Sequence, residues 1–334
     1  MRGRLAVLAF VALAGLSGGA RAQKDHAPLT LDVACGPLDR APCARVPPRL
    51  AATAQGMMPR VMPRVMPRVT PRVTPRGVEA MTALNAMTGI CQARPTAAAA
   101  LVPRDAIGSL TYCAVDLVGG PLWPAYALLV VRAGTPFRHL GDLTREAAGG
   151  RKRVIAADDA GQIMLDRLLR ANPVWRRALA VTRENTPTGL SLVASGNVDA
   201  FFTVEAPDGD WVERIRRMTT SAGKPLYGFL DIHPAVAFFQ EDDGKGHCLY
   251  RRTGLDVGGT APITTVATDV VMVLAAKSRD MRAAGGPRVA DVLAAALEAT
   301  RAGILTDMRV PRDWRPAGVA CRARQTSTTE TSFR

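Results

Sequence analysis

Aromatic side chains and histidines are scarce in this chain of 334 residues. Phe, Trp and Tyr make up 5% of it, and they do not alternate with basic residues as a platform for stacking nucleic-acid bases requires. The four histidines are scattered and no CxxC pair occurs, so no group of side chains has the spacing of a zinc site. We therefore expect no metal, no cofactor and no nucleic-acid partner.

The motifs of common enzymes are also missing. The chain has no GxSxG nucleophile elbow, no HExxH pair and no glycine-rich phosphate loop. No set of serine, cysteine, histidine and carboxylate stands at recognisable positions. The sequence favours a protein without catalytic activity, while an enzyme on the same fold stays open as an alternative.

The formal net charge of +14 is concentrated in two segments. Three arginines lie within residues 1–22, and five lie in a tandem repeat over residues 58–77, which reads MPRV three times, then TPRV and TPRG. Proline at every fourth position excludes a continuous helix and a full strand ladder. The repeat predicts an extended, polyproline-like surface loop, and a basic arm that docks on an anionic surface is the alternative.

The first 22 residues have the pattern of a secretory signal peptide. Arg2 and Arg4 precede an apolar run over residues 5–16, which is too short to span a membrane. Ala20-Arg21-Ala22 matches the small-x-small pattern that signal peptidase reads. We predict cleavage between Ala22 and Gln23, no lipid anchor, and export to the periplasm as a monomer.

Six cysteines are expected to form disulfides, because an exported chain meets oxidising conditions. The sequence leaves the connectivity open. We favour pairing between sequence neighbours, which joins Cys35 with Cys43, Cys91 with Cys113, and Cys248 with Cys321.

Short strands and helices alternate in the middle of the chain, which is typical of a parallel sheet covered on both faces. The pattern there predicts strands at 153–157, 179–182 and 198–204, with helices at 161–171 and 187–194, the second capped by Thr186. Elsewhere it predicts strands at 29–34, 110–115, 126–132 and within 263–276, and helices at 45–54, 78–87, 97–102 and 289–301.

Two segments resemble the type II periplasmic solute-binding proteins. Residues 137–143 (FRHLGDL) and 151–156 (RKRVIA) are similar to the F-x-x-L-x-D-L-x-G-K-R-V segment of that family, and residues 189–202 (GLSLVASGNVDAFF) to its A-L-x-x-G-x-V-D-A-F-F segment. With the segments around Gln92, 122–131 and 261–267, the chain is most similar to the TAXI receptors of TRAP transporters. The resemblance extends from about residue 29 to residue 315.

This resemblance implies a two-lobed α/β fold, each lobe a mostly parallel sheet flanked by helices. Lobe 1 would hold residues 23–132 and 229–334, including the loop at 58–77, and lobe 2 would hold residues 133–228. The implied function is capture of a small polar metabolite, an amino acid or organic acid, in the cleft between the lobes. Delivery to a membrane transporter would follow; the resemblance favours a TRAP-type partner, while an ABC-type transporter or a membrane signalling partner stays open.

Ligand contacts are expected where strands end at the cleft, because ligands of open α/β sheets bind at the carboxyl ends of strands. The family has a Gly-Ser-Gly-Thr-like turn after the strand at 153–157, but this chain reads DDAGQ over residues 158–162. The two aspartates argue against a simple dicarboxylate ligand, and Asp158 is expected to be a turn or capping residue. The predicted ligand-binding residues are Gly36, Asp39, Gln92, Tyr126, Asp159, Gly161, Gln162, Thr186 and Glu205. Glu205 could pair with a ligand amine or with an arginine. Core packing is favoured for Trp123, and stacking on a ligand stays open as the alternative.

Overall fold

The computed structural model describes residues 30–35, 49–50, 53, 68–70, 97–107, 114–144, 150–206, 210–242, 246–258, 262–280, 282, 288–308, 310 and 314. The predicted signal peptide, the predicted helix at 78–87 and most of the repeat lie outside these residues. Within them, no helix is both long enough and apolar enough to cross a membrane.

The described elements form a mixed α/β structure with a central sheet flanked by helices. The strands are β1 Thr30–Cys35, β2 Arg68–Thr70, β3 Ala97–Pro103, β4 Val115–Arg132, β5 Arg153–Ala157, β6 Leu179–Arg183, β7 Ala200–Glu205, β8 Tyr227–Leu230, β9 Tyr250–Leu255 and β10 Ile263–Ala275. The helices are α1 Arg104–Ile107, α2 Asp159–Ala171, α3 Pro173–Ala178, α4 Thr186–Ser195, α5 Asp210–Arg217, α6 Ala276–Arg279 and α7 Val289–Asp307, and there are 3-10 turns at Leu140–Thr144 and Val236–Gln240.

The sheet has the same strand arrangement in both of its halves. Its order is β2-β1-β3-β10-β4-β7-β5-β6, with β8 beside β4 and β9 beside β10. In the first half the parallel strands β2, β1 and β3 are followed by antiparallel β10 and then by the start of β4. In the second half the parallel strands β6, β5 and β7 are followed by the antiparallel end of β4 and then by β8. Two similar α/β units therefore share the long strand β4.

The register brings the carboxyl ends of both parallel sets together. Pro103, at the end of β3, pairs with Val270 of β10, which in turn pairs with Trp123 of β4. Glu205, at the end of β7, pairs with Tyr126 of β4. Since β3 and β7 run in opposite directions, their carboxyl ends face each other at one level of β4. We call this level, from Trp123 to Tyr126 with its partners on β10 and β7, the crossing.

Apolar side chains cover both faces of the sheet. One cluster packs Leu129 and Phe202 against Met164 and Leu168 of α2, and it continues to α7. The other packs Leu128 and Phe201 of the opposite face with α4. Because successive strand residues point to opposite faces, the central strand β7 is buried along its whole length.

The sequence-based prediction was wrong at two alanine-rich or proline-rich segments. Residues 97–102 read as a helix, but they form most of β3, because pairing with β1 and β10 outweighs the helix propensity of alanine. Residues 68–70 of the repeat form an edge strand parallel to β1 instead of a polyproline-like loop. The strand is confined to three residues because a proline stands on each side of it.

The strand predicted at 126–132 is the second part of a longer one, β4, which begins at Val115. Two glycines and two prolines within it concealed this continuity. The pairing of β4 with β10 is interrupted by a β-bulge between Val270 and Met272 of β10. In the part of β4 at this bulge, Gly119 has a positive φ of 67°, which glycine adopts readily.

The substitution Gly189→Ala in α4 tests the packing of this helix on the sheet. A Cβ atom there would overlap the ring of Phe201 on β7, so Gly189→Ala must separate the helix from the sheet. We expect the free energy of unfolding to fall by about 1–3 kcal/mol, as measured by urea denaturation.

Gly228→Ala is the matched control, because the nearest heavy atom to its added Cβ is Val131 Cγ2 at 3.9 Å, an ordinary contact. It should leave stability unchanged or slightly higher. Equal losses in the two variants would contradict the packing of α4 described above.

Candidate functional site

Buried polar side chains of the described residues are concentrated at the crossing. All of them except Asp142 lie in or beside it: Arg104, Asp105, Thr203, Glu205, Thr265, Thr268 and Asp269. Burying a polar or charged group costs free energy unless partners compensate it. Their clustering where two sets of carboxyl ends meet therefore marks this region as the candidate site.

A row of cross-strand partners runs through the crossing on one face of the sheet. Glu205 of β7 is opposite Tyr126 of β4, Tyr126 is opposite Ala267 of β10, and Ala267 is opposite Arg251 of β9. Arg251 Nη1 lies 2.5 Å from Oδ1 of Asp269, which is completely buried. The row thus places a carboxylate at one end and a buried ion pair at the other.

Asp158 caps α2, as predicted, and it also joins three elements. Its Oδ1 accepts a hydrogen bond from Gly161 N at 2.7 Å. Its Oδ2 accepts from the hydroxyl of Thr186 on α4 at 3.3 Å and from the hydroxyl of Thr203 on β7. Desolvation raises the pKa of Asp158 from 3.8 to about 6, although these hydrogen bonds lower it in part.

The polar groups of the predicted turn are satisfied by the protein itself. Asp159 forms an ion pair with Arg183 at the end of β6. The amide of Gln162 donates to Asp166 Oδ1 at 2.7 Å, one turn along the helix. Gly161 allows α2 to approach β7, because a Cβ there would overlap Phe202 O. The turn therefore uses these groups for its own structure, and their contact with a ligand stays a prediction.

Thr186 does not cap its helix. The side chain of Asn185 accepts from Thr188 N at 2.9 Å and caps α4. Asn185 and Thr186 are both residue types that cap helices, and the predicted helix began one residue too late. Thr186 instead bonds to Asp158.

A second network, which links the two halves of the sheet, was not predicted from the sequence. The Tyr250 hydroxyl donates to Asp105 Oδ2 at 2.9 Å, and its ring stacks on Phe238 with centroids 4.2 Å apart. Arg167 of α2 pairs through Nη1 with Glu241 Oε2 at 2.7 Å and donates from Nη2 to the Asp105 carbonyl at 3.1 Å. Burial raises the pKa of Asp105 to about 6, against the effects of Tyr250 and Arg167.

The remaining predicted residues contribute little to the described geometry. Tyr126 is buried within the row, and Trp123 is a core residue, as predicted. Cys35 ends β1. Cys248 is disulfide-bonded, and its pairing with Cys321 stays a prediction. The predicted residues outside the described part of the chain are Gly36, Asp39, Cys43, Gln92, Cys91, Cys113 and Cys321. Among the residues that are described, no three His, Cys, Asp or Glu side chains are grouped as metal ligands.

No protein family pattern and no curated protein sequence is detectably similar to the chain. Among solved structures, it is similar to the periplasmic VFT2 domain of Bordetella pertussis BvgS, with 13% identity, a TM-score of 0.42, and coverage of 84% of this chain and 92% of that one. It is also similar to the arginine-, lysine-, histidine-binding protein ArtJ of Geobacillus stearothermophilus, with 12% identity, a TM-score of 0.44, and coverage of 85% of this chain and 94% of that one. A third similar structure is the amino acid ABC transporter substrate-binding protein AbpA of Streptococcus pneumoniae, bound to L-arginine. It has 11% identity and a TM-score of 0.46, and the match covers 84% of this chain and 94% of that one. These values are too low to assign a family.

Arg167→Met tests the link between the halves. The substitution removes the ion pair with Glu241 and the hydrogen bond to the Asp105 carbonyl, both in partly buried positions. We expect a loss of about 1–3 kcal/mol in the free energy of unfolding, measured by urea denaturation.

Arg170→Met on the same helix is the control. Arg170 is exposed and makes only a long 3.4 Å contact with Asp166 O, so its loss should change stability by less than about 0.5 kcal/mol. A similar loss in both variants would show that the Arg167 network does not stabilise the fold.

Proposed function

We propose that this chain is a periplasmic solute-binding receptor that captures a small polar metabolite, catalyses no reaction, and passes its ligand to a membrane transporter. The observation that supports this most strongly is the register at the crossing, where the carboxyl ends of β3 and β7 face each other. In open α/β sheets, ligands bind at such carboxyl ends. Two sets facing each other define one shared site between two units.

The same strands support a division into two lobes. We propose lobe 1 over residues 23–132 and 229–334 and lobe 2 over residues 133–228, with β4 and β10 as the connection between them. Bending at these strands would change the angle between the lobes. A ligand that contacts both lobes binds the closed form better than the open one and therefore shifts the equilibrium toward closure.

The charges at the two carboxyl ends favour a ligand that carries both signs. Arg104, directly after β3, is a buried cation, and Glu205, at the end of β7, is a buried carboxylate. An amino acid offers a carboxylate to the first and an ammonium group to the second. The additional carboxyl of Asp158 near Glu205 makes a simple dicarboxylate a poorer match. We retain Tyr126, beside Glu205, as a further contact.

Ligand capture is the first test. The chain from Gln23 onward, produced in an oxidising compartment, would be examined by native mass spectrometry before and after mild unfolding and refolding. A thermal-shift panel of amino acids and organic acids would follow. We expect one class, the amino acids, to raise the melting temperature, since a ligand that binds only the folded state stabilises it.

An empty protein that no compound in a broad panel stabilises would contradict the receptor function. A shift with organic acids and none with amino acids would retain the receptor and overturn the proposed ligand class.

Glu205→Gln separates ligand binding from stability. The variant keeps the shape of the side chain but loses the charge for the ligand ammonium group, so affinity should fall at least about tenfold, as measured by calorimetry with the compound found above. Glu213→Gln on α5 removes a charge whose carboxylate is half exposed and paired with Arg217, and it should bind normally. Equal affinities for the two variants would exclude Glu205 from the site.

Delivery to a TRAP-type transporter is the finer proposal, supported by the sequence resemblance to TAXI receptors. A strain lacking the gene should lose uptake of the captured compound. Normal uptake with a changed transcriptional response to the compound would indicate a membrane signalling partner instead.

A further inference from the structure

The helix α2 connects the two proposed lobes. It belongs to lobe 2, where Met164 and Leu168 are buried in one cluster with Phe202 of the sheet. It also contacts α1 and the 3-10 turn at Val236–Gln240, which belong to lobe 1. Since α1 follows β3 and α2 follows β5, this contact joins the helices that leave the two facing sets of carboxyl ends.

Arg167 supplies the polar part of this contact. Its Nη1 lies 2.7 Å from Glu241 Oε2, and its Nη2 donates to the main-chain carbonyl of Asp105 at 3.1 Å. Glu241 directly follows the 3-10 turn, and Asp105 lies in α1. One side chain of lobe 2 therefore holds two separate elements of lobe 1.

Both acceptors are held in place within lobe 1 by Tyr250, which is 2% exposed. The Tyr250 hydroxyl donates to Asp105 Oδ2 at 2.9 Å, and its ring stacks on Phe238 of the 3-10 turn. The carbonyl of Glu241 accepts from the N–H of Leu249, the neighbour of Tyr250, at 3.0 Å. Arg167 thus meets partners with fixed positions, which reduces the entropy that the contact costs.

The other end of α2 lies at the candidate site. Asp158 caps the helix and accepts from the Thr203 hydroxyl, and this hydroxyl lies 3.2 Å from Glu205 Oε1. Arg167 is about 12 Å further along the helix, at about 1.5 Å per residue. A single helix therefore connects the end of β7 with the contact to lobe 1.

We propose that the two contacts of Arg167, with Glu241 and with the Asp105 carbonyl, form a latch that holds the lobes together while the site is covered. The lobes are those of the proposed function, on which this inference rests. In the arrangement that the structure shows, Glu205 is 4% exposed and Arg104 is 6% exposed. A ligand reaches them only after the lobes separate, and separation of α2 from lobe 1 breaks both contacts of Arg167.

The burial of the ion pair is intermediate, which suits a contact that opens and closes. The side chains of Arg167 and Glu241 are 13% and 25% exposed, so water has access to both charges and can replace the pair when the lobes separate. A hydrogen bond to a charged group shifts an equilibrium by about tenfold or more. The latch therefore favours the covered arrangement without preventing its opening.

The distance between the lobes tests the latch without any ligand. Genetically encoded spin-label amino acids leave the native cysteines unchanged. One label replaces Arg177 of α3, a helix that contacts α2, and the other replaces Val236 of the 3-10 turn, which is 70% exposed. Double electron–electron resonance then gives the distribution of distances between the labels. In Arg167→Met we expect the population of longer distances to rise about tenfold.

A charge swap tests the ion pair itself. Arg167→Glu and Glu241→Arg should each lengthen the distances, and the double variant should restore those of the unmodified protein, because loss of helix packing cannot be repaired by reversing two charges. Arg170→Met, an exposed position on the same helix, is the control and should change nothing. An unchanged distribution in Arg167→Met, an equal change in Arg170→Met, or no restoration by the swap would each overturn the latch. If Arg167→Met does not fold, Glu241→Gln, which leaves α2 unaltered, decides the question.

Ligand kinetics separate the latch from the binding site. The latch is present in the covered protein with and without ligand, so Arg167→Met should raise the association and the dissociation rate of a bound amino acid by similar factors of about ten, with little change in affinity. Stopped-flow fluorescence with the amino acid that the thermal-shift panel selects measures both rates. Unchanged rates would contradict the latch. If no compound in the panel binds, the proposed function fails, and the distance measurement alone decides whether Arg167 holds the two halves together.

Discussion

The pairing of β4 with β10 is the constraint on which the rest of the structure depends. These two strands are the longest in the described sheet, and their antiparallel ladder extends from Ala267 to Ala275 on β10. Each half of the sheet adds its parallel strands to one of them, β3 to β10 and β7 to β4. The position of the crossing, and with it the meeting of the carboxyl ends, is thereby fixed by backbone hydrogen bonds and not by side-chain contacts.

The segments that carry the sequence resemblance prove to be structural. Asp142, of the FRHLGDL segment, accepts hydrogen bonds from Arg138 N at 2.8 Å and His139 N at 3.2 Å and thereby fixes the turn before the second half of the sheet. Asp199, of the VDAFF segment, accepts from Val154 N at 2.9 Å and pairs with Arg153 at 2.8 Å, which joins β7 to β5. In this chain both aspartates therefore stabilise the backbone of the second half.

Local patterns predicted the second half of the sheet because its elements are short and regular. The strands β5, β6 and β7 and the helices α2 and α4 lie within a few residues of their predicted positions. In the first half β1, β10 and α7 also lie close to their predicted positions. Alanine-rich β3 was predicted wrongly because long-range pairing outweighs local preference there. Of the site, the end of β7 pointed to Glu205, whereas the end of β5 pointed to Asp159, Gly161 and Gln162 and left Asp158 as a turn or capping residue. The bond between Asp105 and Tyr250 could not be foreseen, since 145 positions separate the two residues.

The edge strand β2 lies in the tandem repeat, and it tolerates changes in the number of repeat units during evolution. It is built from the Arg-Val that ends one repeat copy and the Thr that begins the next, and the neighbouring junctions offer Arg-Val followed by Met or Thr. The repeat unit has four residues, an even number, so a shift by one unit leaves each residue type on the same side of a strand. Gain or loss of whole units through replication slippage therefore leaves an equivalent tripeptide available to β1. The gene can change its length at this place without any compensating substitution in the sheet.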